Sequence, residues 1–193
     1  LNNVNTVATF NYTGSNQSWT VPTDVTTATF YLIGAGGGGG AAYAGGGGGY
    51  ATGTYSSLTS GQVLTVIVGQ GGKRQTYTES IALSGATARR NASFGGGASG
   101  MGTSAYPDTW ASGGGRSAIQ LASGTDDIIS AGGGGGGGYN TAGGAGGGTN
   151  GVSVVTGGGG GSQIAGGTGA ASGGQSGTAG IKYAGGYAGT VTT

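Results

Sequence analysis

The chain has 193 residues, enough for one domain, and 55 of them are glycine. Glycine is thus roughly 28% of the chain against a usual ~7%, but only two prolines and no three-residue repeat accompany it, which excludes collagen. Charged residues are 6% and the net charge is +1; this excludes a basic stripe for nucleic acid or anionic lipid, and equally a disordered chain solvated by its own charge.

Cysteine and histidine are both absent. Disulfides, thiolate nucleophiles, zinc sites and the usual neutral-pH proton shuttle therefore fall away together. No apolar run approaches the ~20 residues of a membrane-spanning helix. The chain starts at Leu1 without methionine, which fits a processed protein or an excised fragment.

Taken in chain order, the first strand pattern covers residues 4–12, where Val4, Ala8, Phe10 and Tyr12 share one face at a period of two. Residues 18–21 continue in extended form to Pro22, where a turn is expected. Residues 26–33 place Ala28, Phe30 and Leu32 on one face and Tyr31 and Ile33 on the other. Residues 51–58 form a shorter candidate. Residues 62–68 (QVLTVIV) are apolar on both faces, as a central, doubly covered strand would be. Further short candidates are residues 79–83, 117–121, 127–130, 152–155 and 181–183. No stretch of ten or more residues has helical spacing, so almost no α-helix is expected.

Between these strands lie nearly pure glycine runs at residues 36–40, 45–49, 95–97, 113–115, 132–138, 146–148 and 157–161. A random glycine-serine tract is a flexible linker. These runs contain little serine, recur between strands, and are punctuated by Tyr43, Tyr50 and Tyr139. The ordered alternative is a set of extended, three-residue-per-turn polyglycine helices packed side by side. Such a helix has no internal hydrogen bonds, so its backbone groups must find neighbours. Only residues lacking Cβ let backbones approach that closely. Ordering each residue costs ~1–2 kcal/mol and glycine buries no side chain in return, so many runs must lock together on a rigid base. The strands supply that base.

The segment WTVPTDVTTATFYLIGAGGGGG, residues 19–40, resembles the first strands of the glycine-rich domain in the anaplastic lymphoma kinase and leukocyte tyrosine kinase receptors. It is also similar to glycine-rich domains of phage tail and microbial surface proteins. The likeness continues through residues 45–72, SFGGGASG, GGGRSAIQL and DIISAGGGGGGG, and covers roughly residues 17–161. The resemblance implies an all-β fold: a jelly-roll-like, tumour necrosis factor-like β-sandwich carrying an inserted polyglycine II helix bundle. On that fold, one domain is expected over residues 1–193. Its strand scaffold would lie mainly at 4–34, 51–83, 117–131, 152–155 and 181–183, with glycine-run insertions at 35–49, 95–115, 132–151 and 157–180. Phage adhesins use a similar bundle at the tail tip to recognise host receptors. The chain lacks the receptors' cysteines.

Catalytic and cofactor motifs are weak. Gly-x-Gly-x-x-Gly matches abound, but a dinucleotide site needs a following helix, and none is expected. GQGGKR, residues 69–74, lacks both the Ser or Thr after lysine and the helix N-terminus that would hold phosphate. The five acids, Asp24, Glu79, Asp108, Asp126 and Asp127, single out no converging pair for glycoside chemistry. No enzyme activity and no cofactor or metal is expected. Asn11, Asn16 and Asn91 head Asn-x-Ser/Thr sequons, open to N-glycosylation in a secreted eukaryotic protein. The best recognition candidates are Tyr43, Tyr50, Trp110 and Tyr139, beside glycine runs. Tyrosine and tryptophan give large contact area at small entropic cost, although the same rings would equally staple the glycine runs.

Together these features describe an extracellular or cell- or virion-surface structural protein that associates with itself, as a surface or filament subunit. The low charge opposes association little, and residues 1–12 have the character of a strand donated to a neighbour. The alternative is an adhesin module that binds a cell-surface glycan or receptor. Neither nucleic acid nor direct membrane insertion is expected.

Overall fold

A computed structural model of the chain describes residues 6–40, 42–74, 88–89, 92–102, 111–121, 126–138, 141–147, 151, 158–162, 166–168, 171–172 and 175–176. All regular structure in these residues is β. The strands are β1 (Gln17–Thr20), β2 (Ala28–Ile33), β3 (Tyr50–Tyr55), β4 (Val63–Ile67), β5 (Ala88–Arg89), β6 (Met101–Gly102), β7 (Ser117–Leu121), β8 (Asp127–Ala131), β9 (Ala171–Ser172) and β10 (Gln175–Ser176). A four-stranded antiparallel sheet has the order β1-β4-β7-β8, and β2 pairs with β3 in a separate two-stranded sheet. Short ladders join β5 to β6 and β9 to β10.

The local chemistry of these strands is ordinary. β2 alternates inward Phe30 and Leu32 with outward Tyr31 and Ile33, as period-two patterning requires. β4 buries Leu64, Val66 and Ile67, matching a strand flanked by β1 and β7. Two turns follow their sequence signals. Pro22 to Val25 closes with a bond from the Val25 N–H to the Pro22 carbonyl, with Asp24 at φ 65°. Thr59 to Gln62 closes the same way, with Gly61 at φ 77° in the position that demands glycine. β2 and β3 pack across β7 and β8, and Val21, Leu32, Ala51, Leu58, Leu64, Val66, Ile119 and Ala131 form the core between the sheets.

One expected strand does not form. Residues 6–12 carry the alternating pattern but make no ladder, and residues 6–9 are exposed. A strand needs a partner for its backbone as well as a pattern, and no described segment offers one. The candidates at 79–83, 152–155 and 181–183 lie outside the described residues.

The glycine-rich runs continue the strands. β2 ends at Ile33 and passes into 34–40, while 45–49 leads into β3. β4 passes into 69–73, 111–116 leads into β7, and β8 passes into 132–138. The strand register carries on into the runs. Ile33 faces Tyr50 in the ladder; the Gly34 N–H then donates to the Gly49 carbonyl (2.8 Å), Gly37 to Gly46 (2.9 Å) and Gly40 to Tyr43 (2.8 Å). The β7–β8 register, Ser117 opposite Ala131, continues as Gly114 to Gly134 (2.8 Å) and Ala111 to Gly137 (3.0 Å).

Bonding within the runs has a period of three. In 111–116, Ala111 and Gly114 donate to the 132–138 run. Ser112 and Gly115 donate to Lys73 and Gln70, and Gly113 and Arg116 to Ala98 and Gly95. Successive residues thus serve three different neighbours in rotation, whereas a strand serves two in alternation. The array is two-dimensional in cross-section, and 132–138 lies inside it. That run bonds with 34–40, 45–49, 111–116, 143–147 and 158–161, and every residue from Gly132 to Gly138 is buried.

The geometry explains the composition. Facing sheets are held ~10 Å apart by their side chains, while hydrogen-bonded backbones sit ~5 Å apart. The core tapers toward the runs: Ala51 faces Leu32, and Ala131 and Ser117 make the last β7–β8 pair. Beyond them backbones from opposite sheets meet directly. A Cβ at Gly34 would collide with the Gly132 carbonyl, one at Gly37 with that of Gly135, and one at Gly114 with that of Ala35.

Candidate interaction surface

The described residues that bear on function fall into a sheet face, a hairpin tip and an N-terminal arm. The sheet face is the outer side of β2 and β3. Its cross-strand pairs are Thr29 with Thr54, Tyr31 with Thr52, and Ile33 with Tyr50. The two threonine hydroxyls meet at 2.9 Å. Tyr31 is 72% exposed, Ile33 71% and Tyr50 56%. Together with Thr29, Thr52 and Thr54 they make a contiguous uncharged face. No residue from 28 to 33 or from 50 to 55 is charged.

Tyr43 sits elsewhere. Its carbonyl accepts the Gly40 N–H and closes the tip of the 34–49 hairpin, and its side chain is 44% exposed. Tyr50 lies at the opposite end of the same run, about 20 Å away along extended chain. The two tyrosines therefore belong to different surfaces. Ring pairs among the described residues are Tyr12 with Phe94, at 6.3 Å, and Trp19 with Phe30, at 6.2 Å and edge-on. Trp110 and Tyr139 lie outside the described residues.

The arm comprises residues 6–13. Phe10 packs against the core and Tyr12 against Phe94, and the Gln17 side chain donates to the Asn11 carbonyl (2.9 Å). Ahead of this anchor the chain projects, with Val7 86% exposed. Asn11 and Asn16, on either side of the turn at Gly14, are both exposed and accessible to modification; Asn91 lies outside the described residues.

A buried polar cluster was not apparent from sequence. Arg116 reaches Asp127 at 2.9 Å through Nε and donates to the Gly95 carbonyl at 3.0 Å, and the Gln120 amide donates to Asp127 at 2.7 Å. The Asp127 side chain is 4% exposed and that of Arg116 14%. Arg116 and Gln120 share the face of β7 that carries Ala118, which is fully buried. The cluster thus covers the outer face of the four-stranded sheet and ties the 93–98 run to it. The register that pairs Gln120 with Asp127 was the available signal, once β7 and β8 are read as a hairpin. This arrangement is a clamp, with its charges and amide satisfied by one another. Among the described residues no group of His, Cys, Asp or Glu is arranged to hold a metal, and no helix is long and apolar enough to cross a membrane.

A second unread signal is the spacing of alanine in the runs. Ala142 and Ala145 are three residues apart and both exposed, while Gly143 and Gly146 between and after them face carbonyls of neighbouring runs. In the 45–49 run, the outward position following Ala44 is Gly47, where a Cβ would meet nothing within 4 Å.

A protein-family model described as a glycine-rich domain matches residues 11–193. Comparison with curated proteins returned no match.

Proposed function

The chain belongs to the glycine-rich domain family, and from that premise we propose that it is a structural subunit that associates with itself at a cell or virion surface, as a filament or sheath. The observation that carries this reading is the Tyr31–Ile33–Tyr50 face, exposed and uncharged in a chain of net charge +1. Association buries such a face at ~25 cal/mol per Å² of apolar area, with almost no charge repulsion against it. The finer architecture belongs to the same proposal. The sandwich has jelly-roll connectivity, and the glycine runs are polyglycine II helices whose three-residue bonding period makes a stiff, chemically inert spacer. Carbohydrate on Asn11 and Asn16 suits an extracellular location.

Electron microscopy of the purified protein over a dilution series tests this. Filaments or sheets with one repeating subunit are the expected result. Monomers or small closed oligomers at every concentration would remove the structural reading.

One observation favours a second reading. Tyr43 stands at the tip of a rigid hairpin, where an adhesin would present a ring to a glycan or a receptor. On that reading Tyr43→Ala abolishes binding to the host surface and leaves thermal stability unchanged.

A further inference from the structure

The four most exposed large apolar residues among those described lie in two places. Tyr31, Ile33 and Tyr50 form the outer face of the β2–β3 sheet, and Val7 projects on the arm. The β2–β3 sheet has two strands among the described residues and stands opposite a sheet of four. Two strands span ~10 Å where four span ~19 Å, so among the described residues the smaller sheet leaves part of the facing surface thinly covered. Accordingly Phe30, Tyr55, Leu121 and Ile128 border the core but are only partly buried. The arm, for its part, has the alternation of a strand and no ladder.

We infer that the arm of one copy, residues 6–9, lies along the β2–β3 sheet of a second copy and seats Val7 on Tyr31, Ile33 and Tyr50. This rests on the self-association proposed above and names its contact. Each copy then has an extended apolar segment to give and a sheet edge, unpaired among the described residues, to receive one, so the contact is head-to-tail. Such contacts propagate into open filaments unless the rotation between copies closes a ring. Main-chain bonds to the sheet edge supply affinity, and alternate side chains supply register. Val7 and Thr9 take the outer face and Ala8 the inner, while Phe10 stays on the core of its own copy. The arm is poorly placed to fill its own sheet. Phe10 and Tyr12 hold its base, with Tyr12 against Phe94 of the 93–98 run, and that run is bonded to 69–73 and 111–116, the continuations of β4 and β7 in the other sheet. No charged residue lies on either partner surface, so contact desolvates no ion.

Because the chain contains no cysteine, directed disulfides test the contact cleanly. Full-length Val7→Cys and Tyr31→Cys variants carrying tags of different size are mixed and oxidised. The control replaces the second variant by Val63→Cys, an exposed position on the other sheet. The expected result is a mixed disulfide dimer at least tenfold more abundant with Tyr31→Cys than with Val63→Cys. Val7→Asp, exposed and so harmless to the fold, should raise the concentration needed for assembly at least tenfold. If filaments form while the Tyr31→Cys link is no stronger than the control, the arm goes elsewhere and this inference falls, although self-association stands. A double variant, Val7→Cys with Tyr31→Cys, that closes an intramolecular link at high dilution would place the arm on its own sheet and overturn the inference too. If the unmodified protein shows no assembly at any concentration, the self-association reading fails first and this one with it.

Discussion

The sandwich and the glycine array are both built from extended backbone in one register, yet opposite devices hold them together. In the sandwich, side chains keep two sheets apart and the burial of Leu64, Val66, Leu32 and Ile119 stabilises the arrangement. In the array there is little side-chain area to bury beyond Ala111 and Ser112, and backbones from both sheets converge until they bond with one another. The sandwich tolerates change in proportion to volume, as packed cores do. The array tolerates almost none at inward positions, because the atom that would be struck is a carbonyl oxygen held by neighbours on several sides. Order in the array is borrowed from the register of the strands, and the ~1–2 kcal/mol per residue needed to fix glycine is offset only when all the runs form together.

The largest effect should come from the centre of the array. Gly135 donates to Gly144 and accepts from Gly46, and a Cβ there would strike the Gly158 carbonyl. Gly135→Ala is expected to cost more than ~3 kcal/mol and to abolish the cooperative transition in chemical denaturation. A variant that unfolds like the parent would show that the array is loose.

Arg116→Ala comes next. It removes the Arg116 guanidinium from the buried Asp127 carboxylate and releases the 93–98 run, a loss of ~3–5 kcal/mol. Adding Asp127→Asn should recover part of that stability in thermal melts, and no recovery would deny the clamp its electrostatic character. Leu64→Ala, at a fully buried position of the sandwich, should cost ~2–5 kcal/mol while retaining a cooperative transition.

The smallest effect separates adjacent residues. A Cβ at Gly46 strikes the Gly144 carbonyl, whereas one at Gly47 meets nothing within 4 Å. Gly46→Ala should destabilise strongly, and Gly47→Ala should stabilise by ~0.5 kcal/mol by restricting the unfolded chain. Similar effects at both positions would mean that the three-residue period does not govern the array.

Much of this was legible in the residues. β7 was expected at 117–121 and forms there, and β8 extends one residue beyond the expected 127–130. β4 is the central strand that its two apolar faces implied, and the change to glycine after Ile33 and after Ala131 marks where β2 and β8 end. The ordered, side-by-side packing of the glycine runs was reached by weighing entropy against neighbours, since propensity alone favours a linker. The alternation at residues 6–12 predicts a strand where none forms, because a period of two reports on side chains and says nothing of whether the backbone has a partner. Tyr43 and Tyr50 looked alike from their glycine-rich surroundings and stand at opposite ends of one run.

The sequence by itself determined the all-β class, the positions of the main strands and the places where backbones approach closely, because these depend on Cβ atoms present or absent in local stretches. The tertiary structure decided which run lies inside the array, which glycines face carbonyls and which face open space, and that Arg116 and Asp127 meet. Those outcomes depend on the registers of several ladders acting at once, and a register is a property of a pair of segments rather than of either one.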